Sequence, residues 1–410
     1  MVDITVGEGA SATPLLTNSD FVFDSAEYLD SINSWNIWKV RLKAVTRAAY
    51  ERRIVPLLLS EKRKLTVKWG IDTGTKTVWT QPSVCRVLTA EPQLDTLTAS
   101  AAGVQFTLTM ADELYGLNTK QRVVHRKGKI SQIVEEIAAA YKMVPVVEPT
   151  GGPPLSLVQS FETDYAFIKE RLLVSAASAS GVADYYLYAR GNELHFHTKA
   201  YKKTPLIVLY NVKADSGASA LIANDRAQDS SVSGGGLAKV VAYSPLTGKT
   251  VVADSDPEKY IKFGQRLSEA EGLYLWGAHI GQNQADFELA TNQARYSFSR
   301  DHYERISFAI TNIIGLESGT VIALQLPNPG DSLSGFFHVE GVHVNISGGA
   351  ANMAVTASRG EFASLRQPAA QVRLGGNPQV VQPQEAPGGD PTFESEPVNS
   401  ALAAIKPAGG

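Results

Sequence analysis

The sequence predicts an α+β protein dominated by strands, and three observations carry that expectation. Apolar and polar residues alternate two by two over short runs both early and late in the chain. A helical spacing of three and four takes over only from about residue 129. From Gln367 onward the chain is rich in Pro, Gly, Gln and Ala and has little to bury. At 410 residues it exceeds one small core, which implies two to four structural units.

Residues 1–20 are small and polar and read as a loose arm. Residues 35–45 (WNIWKVRLKAV) read as a strand, and residues 48–64 as partly helical with a break at Pro56. Residues 65–80 alternate around a turn near Gly74, which predicts a hairpin; CRVLTA (85–90) and VQFTLTM (104–110) continue the alternation. Residues 1–120 are thus expected to be β-rich.

Residues 129–143 (KISQIVEEIAAAYKM) place Ile130, Ile133, Ile137 and Tyr141 on one helical face. Ser131, with Glu135 and Glu136, is an imperfect start signal, and GGPP (151–154) a stop. In QSFETDYAFIKERL (159–172), Phe161, Tyr165, Ile168 and Leu172 form a second helical stripe. Glu162 and Asp164 would stand at its start and Lys169 and Arg171 towards its end, as the helix dipole favours. Residues 185–190 and 193–199 flank Gly191-Asn192, a tight hairpin loop. Residues 121–204 therefore read as an α/β unit of helix, helix and hairpin. Strands resume at 206–210 and 239–254, helical patterning fills 256–297, and four alternating runs (305–312, 320–327, 335–347, 352–358) follow. Residues 367–410 read as a largely disordered tail with a weak apolar patch at 401–405.

Bulk composition excludes several classes. A net charge of −3 makes no global case for nucleic-acid affinity. Cys85 is the only cysteine, so no intramolecular disulfide or thiolate cluster forms. The first residues lack the basic and apolar regions of a signal peptide, and no apolar run approaches the roughly 20 residues that span a bilayer. The expectation is a chain made in a cytoplasm, not exported by the signal-peptide route, with no stable membrane insertion.

Each chemical motif has a plainer reading. TGKT (247–250) ends like a phosphate-binding loop, but Tyr243 stands where its first Gly is needed, and a hairpin turn at Gly248 is favoured. GDSL (330–333) resembles the nucleophile block of GDSL-type esterases, with Ser332 as nucleophile. That family closes its triad with a downstream Asp-x-x-His; here the only later Asp is Asp390, and no His follows it. The block also makes good turn chemistry after Pro327-Asn328-Pro329. His195 and His197 share one strand face, yet two ligands do not make a zinc site, and a surface-facing pair is expected. KQRVVHRKGK (120–129) offers charge to a phosphate or an acidic partner, but in a chain of net charge −3 a solvated linker is the favoured reading. No catalytic constellation, cofactor or metal site is expected.

The order of the pieces carries a resemblance. A β-rich start leads to KISQIVEEIAAAYKM, then to Glu162-Thr163-Asp164-Tyr165-Ala166-Phe167, then to a hairpin ending Leu194-His195-Phe196. Later come Gly319-Thr320-Val321 and a stretch with Gly335, Val339 and His343. Over residues 30–365 this resembles the baseplate central hub family of contractile-tailed phages, the late-control D family, and the N-terminal half of type VI secretion spikes. The loop 173–183 is plainer than in that family. The resemblance implies two tube-protein-like β-barrels, at 1–120 and 205–366, with the α/β domain 121–204 between them. A helical insertion at about 255–298 would interrupt the second barrel, and 367–410 would be the tail. Glu162, Thr163, Asp164, Tyr165, Phe167, Leu194, Phe196, Gly335, Val339 and His343 would be scaffold. It further implies a homotrimer in the virion's tail baseplate, joining the sixfold tail tube protein above to the threefold central spike below. Wedge proteins and the tape-measure protein would be further partners, and DNA would only pass through the axial channel. The alternatives are an esterase using Ser332, or the tail-tip hub of a non-contractile phage or of a phage-derived injection particle.

Overall fold

The computed structural model describes residues 1–6, 13–15, 20–58, 64–72, 76–93, 103–199 and 201, and then 206–209, 221–229, 239–244, 249–254, 274–276, 303–311, 315–325 and 335–360. Strands β1 (Val2–Val6), β2 (Thr13–Pro14), β3 (Phe21–Ser31) and β4 (Ile37–Ala44) come first. Helices α1 (Arg47–Arg53) and α2 (Val55–Leu58) and strands β5 (Lys64–Asp72), β6 (Thr77–Trp79), β7 (Ser83–Pro92) and β8 (Gln105–Asp112) follow. In β4 the alternation is complete: Trp38, Val40, Leu42 and Ala44 face inward and their neighbours outward. Thr46 caps α1 by accepting the Ala49 N–H at 3.1 Å, and the break expected at Pro56 falls where α1 gives way to α2.

The expected N-terminal arm is in part a strand. β1 pairs antiparallel with β5, Ile4 is fully buried, and the Met1 ammonium donates to the Gly70 carbonyl at 2.8 Å. The cause is local: Val2, Ile4 and Val6 recur at a period of two and fill the slot beside β5.

The middle of the chain holds α3 (Glu113–Gly116), β9 (Gln121–Gly128), α4 (Ile130–Ala140), β10 (Val144–Val147), β11 (Leu155–Thr163) and α5 (Asp164–Phe167). α5 runs on through a π turn, Ile168–Leu172, and a 3-10 turn, Leu173–Ser175, before β12 (Tyr186–Arg190) and β13 (Glu193–His197). β9 and β11 form an antiparallel ribbon; β13 lies between β10, parallel, and β12, antiparallel. Three expectations change here. The basic stretch taken for a linker is strand β9, with Arg122, Val124 and Arg126 half-buried and the alternate residues exposed. Residues 159–163 are strand, and the second helix begins only at Asp164, so Phe161 leaves the expected stripe and is 74% exposed. α4 begins at Ile130, where Gln132 accepts the Lys129 N–H at 2.9 Å; Ser131 lies inside the helix. The helix ends long before GGPP, at a Lys142 whose φ is +61°, and β10 intervenes.

The last part comprises β14 (Leu206–Leu209), β15 (Leu221–Asp229), β16 (Lys239–Ser244), β17 (Lys249–Asp254), β18 (Tyr274–Trp276), β19 (Tyr303–Thr311), β20 (Val321–Gln325), β21 (Gly335–Ser347) and β22 (Ala350–Gly360). Within the stretch expected to be helical, 256–297, the described residues 274–276 are a strand parallel to β16. The remainder of that stretch, the GDSL block and the tail lie outside the described residues.

One sheet of 14 strands runs through the early and late β regions, in the order β15-β19-β22-β21-β3-β4-β8-β7-β5-β1-β2, with β20 and β14 branching from β21 and β6 from β5. The seam is β21 against β3, from Gly341 opposite Ser31 to Ser347 opposite Ser25. A single apolar core follows it, from Ile4, Trp38 and Phe106 to Phe308, Phe337 and Met353. A second core, from Ile133 and Ile137 to Phe167, Leu194 and Phe196, lies under α4 and the β12–β13 hairpin.

Candidate functional site

The polar side chains of this protein gather where three segments meet: the turn after β3, the β12–β13 hairpin, and the loop before β20. Asn33 pins the first of these to the second. Its φ is +56°, a conformation an Asn side chain tolerates. Its N–H donates to the Leu187 carbonyl at 2.6 Å, its Oδ1 accepts the Leu187 N–H at 2.9 Å, and its carbonyl accepts the Tyr165 hydroxyl at 2.7 Å. Tyr165 also meets Trp35 edge-on with ring centroids 5.1 Å apart. Burial pushes the Tyr165 hydroxyl up to about 12, so it stays a neutral donor.

A buried acid cluster lies alongside. Asp30 accepts the Ser318 hydroxyl and, at 2.7 Å, the Ser318 N–H. Arg190 bonds Glu317 at 2.7 Å and donates to the Ser318 carbonyl at 2.7 Å. Asp112 accepts the Asn36 N–H at 3.0 Å and the Leu114 N–H at 3.1 Å, capping α3. Burial pushes the Asp112 carboxyl up to about 8, and it raises Asp30 and Glu317 as well, with Arg190 pulling both the other way. Gly319 is forced here: its φ is +77°, and a Cβ on it would stand 2.5 Å from the Tyr188 ring. Its N–H donates to the Val339 carbonyl at 2.8 Å, and Val339 N–H returns to Thr320 at 2.8 Å.

The residues singled out by sequence divide between two places. Thr163 caps α5, accepting the Ala166 N–H at 3.1 Å and donating to Asn118 at 2.9 Å. Asp164, 1% exposed, is shared by Arg122 at 2.9 Å, Arg126 at 3.0 Å, the Tyr141 hydroxyl at 2.8 Å and Gln159 at 3.1 Å. Glu162 and Asp164 therefore do not form a pair at a helix start: Glu162 sits on the strand and bonds Arg171 at 3.3 Å. Phe167, Leu194 and Phe196 are fully buried in the second core. Gly335 opens β21, Val339 is in the first core, and His343 bonds Glu27 at 2.8 Å across the β21–β3 seam.

His195 and His197 are not a surface pair. They are 8% and 1% exposed, because β13 is flanked by strands on both sides and the hairpin packs against β21 and β22. Their facing nitrogens are 3.3 Å apart; Glu193 lies 3.1 Å from His195 and the Thr198 carbonyl 2.9 Å from His197. Nearby, Lys199 reaches Ser358 on β22 at 3.4 Å, and Tyr186 stacks on His338 at 4.6 Å. Among the described residues no three His, Cys, Asp or Glu side chains are grouped to hold a metal ion. The last two residues of TGKT, Lys249 and Thr250, begin strand β17, while Thr247 and Gly248 lie outside the described residues. The Asn33 pin and the Asp30–Ser318 contact were not singled out from sequence, where no local signal distinguishes them from ordinary turn residues; Gly319 was legible only as part of the Gly319-Thr320-Val321 motif. The arrangement joins segments. It does not assemble a nucleophile with a base.

No protein-family model matches the sequence, and no curated protein sequence matches it. Solved structures do match in fold. The 43 kDa tail protein of prophage MuSo2 from Shewanella oneidensis superposes with a TM-score of 0.56 at 12% identity, over 87% of this chain and 98% of its own. The tail protein from Neisseria meningitidis MC58 gives 0.57 at 10% identity, over 88% and 97%. The E. coli type VI secretion component c3393, described as similar to T4 tail proteins gp27 and gp5, gives 0.53 at 11% identity, over 87% and 79%. The chain has the fold of phage tail proteins and of a type VI secretion component, along nearly nine-tenths of its length.

Proposed function

We propose that the protein is the central hub of a phage-type baseplate, a homotrimeric structural adaptor between the tail tube above and the central spike below. The observation that carries this reading is the β21–β3 seam, which makes the two β regions into one sheet whose end strands, among the described residues, are β15 and β2. Open sheet ends are pairing surfaces, and a ring of copies is the way to close them. Two similar β regions per chain offer six comparable surfaces from three chains, which is what a sixfold tube above a threefold spike requires. In this reading residues 1–120 and 205–366 are the two tube-like barrels, the second interrupted at about 255–298. The α/β unit 121–204 lies outside the ring as an attachment surface for wedge proteins, and the lumen passes DNA. The fold likeness to tail proteins supports it.

The test is the solution mass of the purified full chain together with negative-stain images. A ring at about three times the 44.1 kDa chain mass is expected. Obligate interfaces of this kind bury on the order of 2,000–5,000 Å². A compact monomer at micromolar concentration would sink the adaptor reading.

A further inference from the structure

The β9–β11 ribbon has a face that nothing in the described chain covers. Val123, Val158 and Phe161 are 62%, 53% and 74% exposed there. The register sets Val158 opposite His125 and Ser160 opposite Val123, so Val123 and Val158 share one face of the ribbon, and Phe161 follows Ser160 at the bulge. Phe161 is the extra residue of the bulge between Ser160 and Glu162, and its φ is +55°. A bulky residue in that conformation is strained, and here the strain holds an aromatic ring in water. Strain of this kind persists where a contact uses it. The face is also one-signed: His125 and Lys127 stand on it and Lys120 and Lys129 at its ends, all exposed, while Glu162 is turned aside to Arg171.

We propose that this face is the docking site of residues 385–398 of the same chain, EAPGGDPTFESEPV. The segment places Phe393 among Glu385, Asp390, Glu394 and Glu396, and no Lys or Arg occurs from residue 374 to 405. An aromatic among acids matches valines and a phenylalanine among lysines in both polarity and sign. The chain is long enough. β22 runs beside the α/β unit, where Lys199 meets Ser358, and 24 residues separate Gly360 from Glu385. They reach up to about 80 Å, whereas a unit the size of residues 121–204 is about 30 Å across. Docking removes an exposed apolar patch from water. The inference stands independently of the hub reading.

Zero-length carboxyl-to-amine coupling of the full-length protein, followed by peptide mass spectrometry, tests it. Coupling of Lys120, Lys127 or Lys129 to Glu385, Asp390, Glu394 or Glu396 is expected to dominate over coupling of the tail acids to Lys39, Lys43 or Lys76. Phe393→Ser, outside the described fold, is expected to lower that yield about tenfold, the effect of withdrawing one phenylalanine from an apolar contact. Coupling spread evenly over the lysines would overturn the proposal, as would an unchanged yield in Phe393→Ser. Coupled peptides found only in covalent multimers would overturn the same-chain placement. Protection of the ribbon by phosphatidylserine vesicles, without tail coupling, would assign the face to a lipid surface instead.

Discussion

Asp164 shows what one residue does in this fold. It closes the ribbon onto α4 and α5 by bonding Arg122, Arg126, Tyr141 and Gln159 at once. Asp164→Ala leaves two guanidinium groups facing each other without their shared carboxylate. The expected loss is about 3–5 kcal/mol, read as a lower denaturation midpoint; a midpoint within error of wild type would show the cluster to be dispensable. Gly319 acts through space. Gly319→Ala drives a methyl group into the Tyr188 ring from a backbone conformation that favours glycine. A loss of about 1–3 kcal/mol is expected, and Tyr188→Leu in the same chain should recover part of it, because the two sites share one clash. Strict additivity in that double variant would remove the clash as the cause.

At the scale of elements, the junction stores protons. Burial pushes the Asp112 carboxyl, at the end of β8, up to about 8, and the Asp184 carboxyl, just before β12, up to about 7. An unfolded Asp titrates near 4. Between about pH 4 and pH 8 the folded chain therefore binds more protons than the unfolded chain, and stability falls as pH rises through that window. The denaturation midpoint at constant ionic strength is expected to be lower at pH 8 than at pH 5. Asp112→Asn, which keeps an acceptor for the α3 cap, should flatten the difference. A midpoint that climbs from pH 5 to pH 8 would mean that the ion pairs of the surface outweigh the buried acids.

For the whole molecule, the proposed hub role makes a prediction at Ser332. Ser332→Ala is expected to leave the solution mass and any infectivity unchanged, since residues 333–410 hold no Asp-x-x-His to activate the hydroxyl. Esterase turnover by the purified protein that disappears in Ser332→Ala would restore the enzyme alternative. The β21–β3 seam carries the other whole-molecule consequence: cutting it separates the early and late β regions, which otherwise form one core from Ile4 to Met353.

Local periodicity by itself determined much of this protein. The alternation in β4, β19, β21 and β22, the apolar face of α4 and the Gly191-Asn192 hairpin turn were all legible, because each is set by residues within one element. Even β1 was there to be read in Val2, Ile4 and Val6. Where pattern was ambiguous, tertiary structure decided. Phe161 matches a helical stripe and Glu162 a helix start, but pairing of β11 with β9 holds them in a strand, and the Thr163 cap sets the helix start at Asp164. His195 and His197 alternate as a surface strand would, yet the hairpin packs against β21 and β22 and buries them. Asn33, Asp30 and Ser318 carry no local signature at all. Their roles come from partners more than 100 residues away, as in the Asp30–Ser318 and Asn33–Leu187 bonds, and short-range sequence has no means of encoding which distant segments will meet.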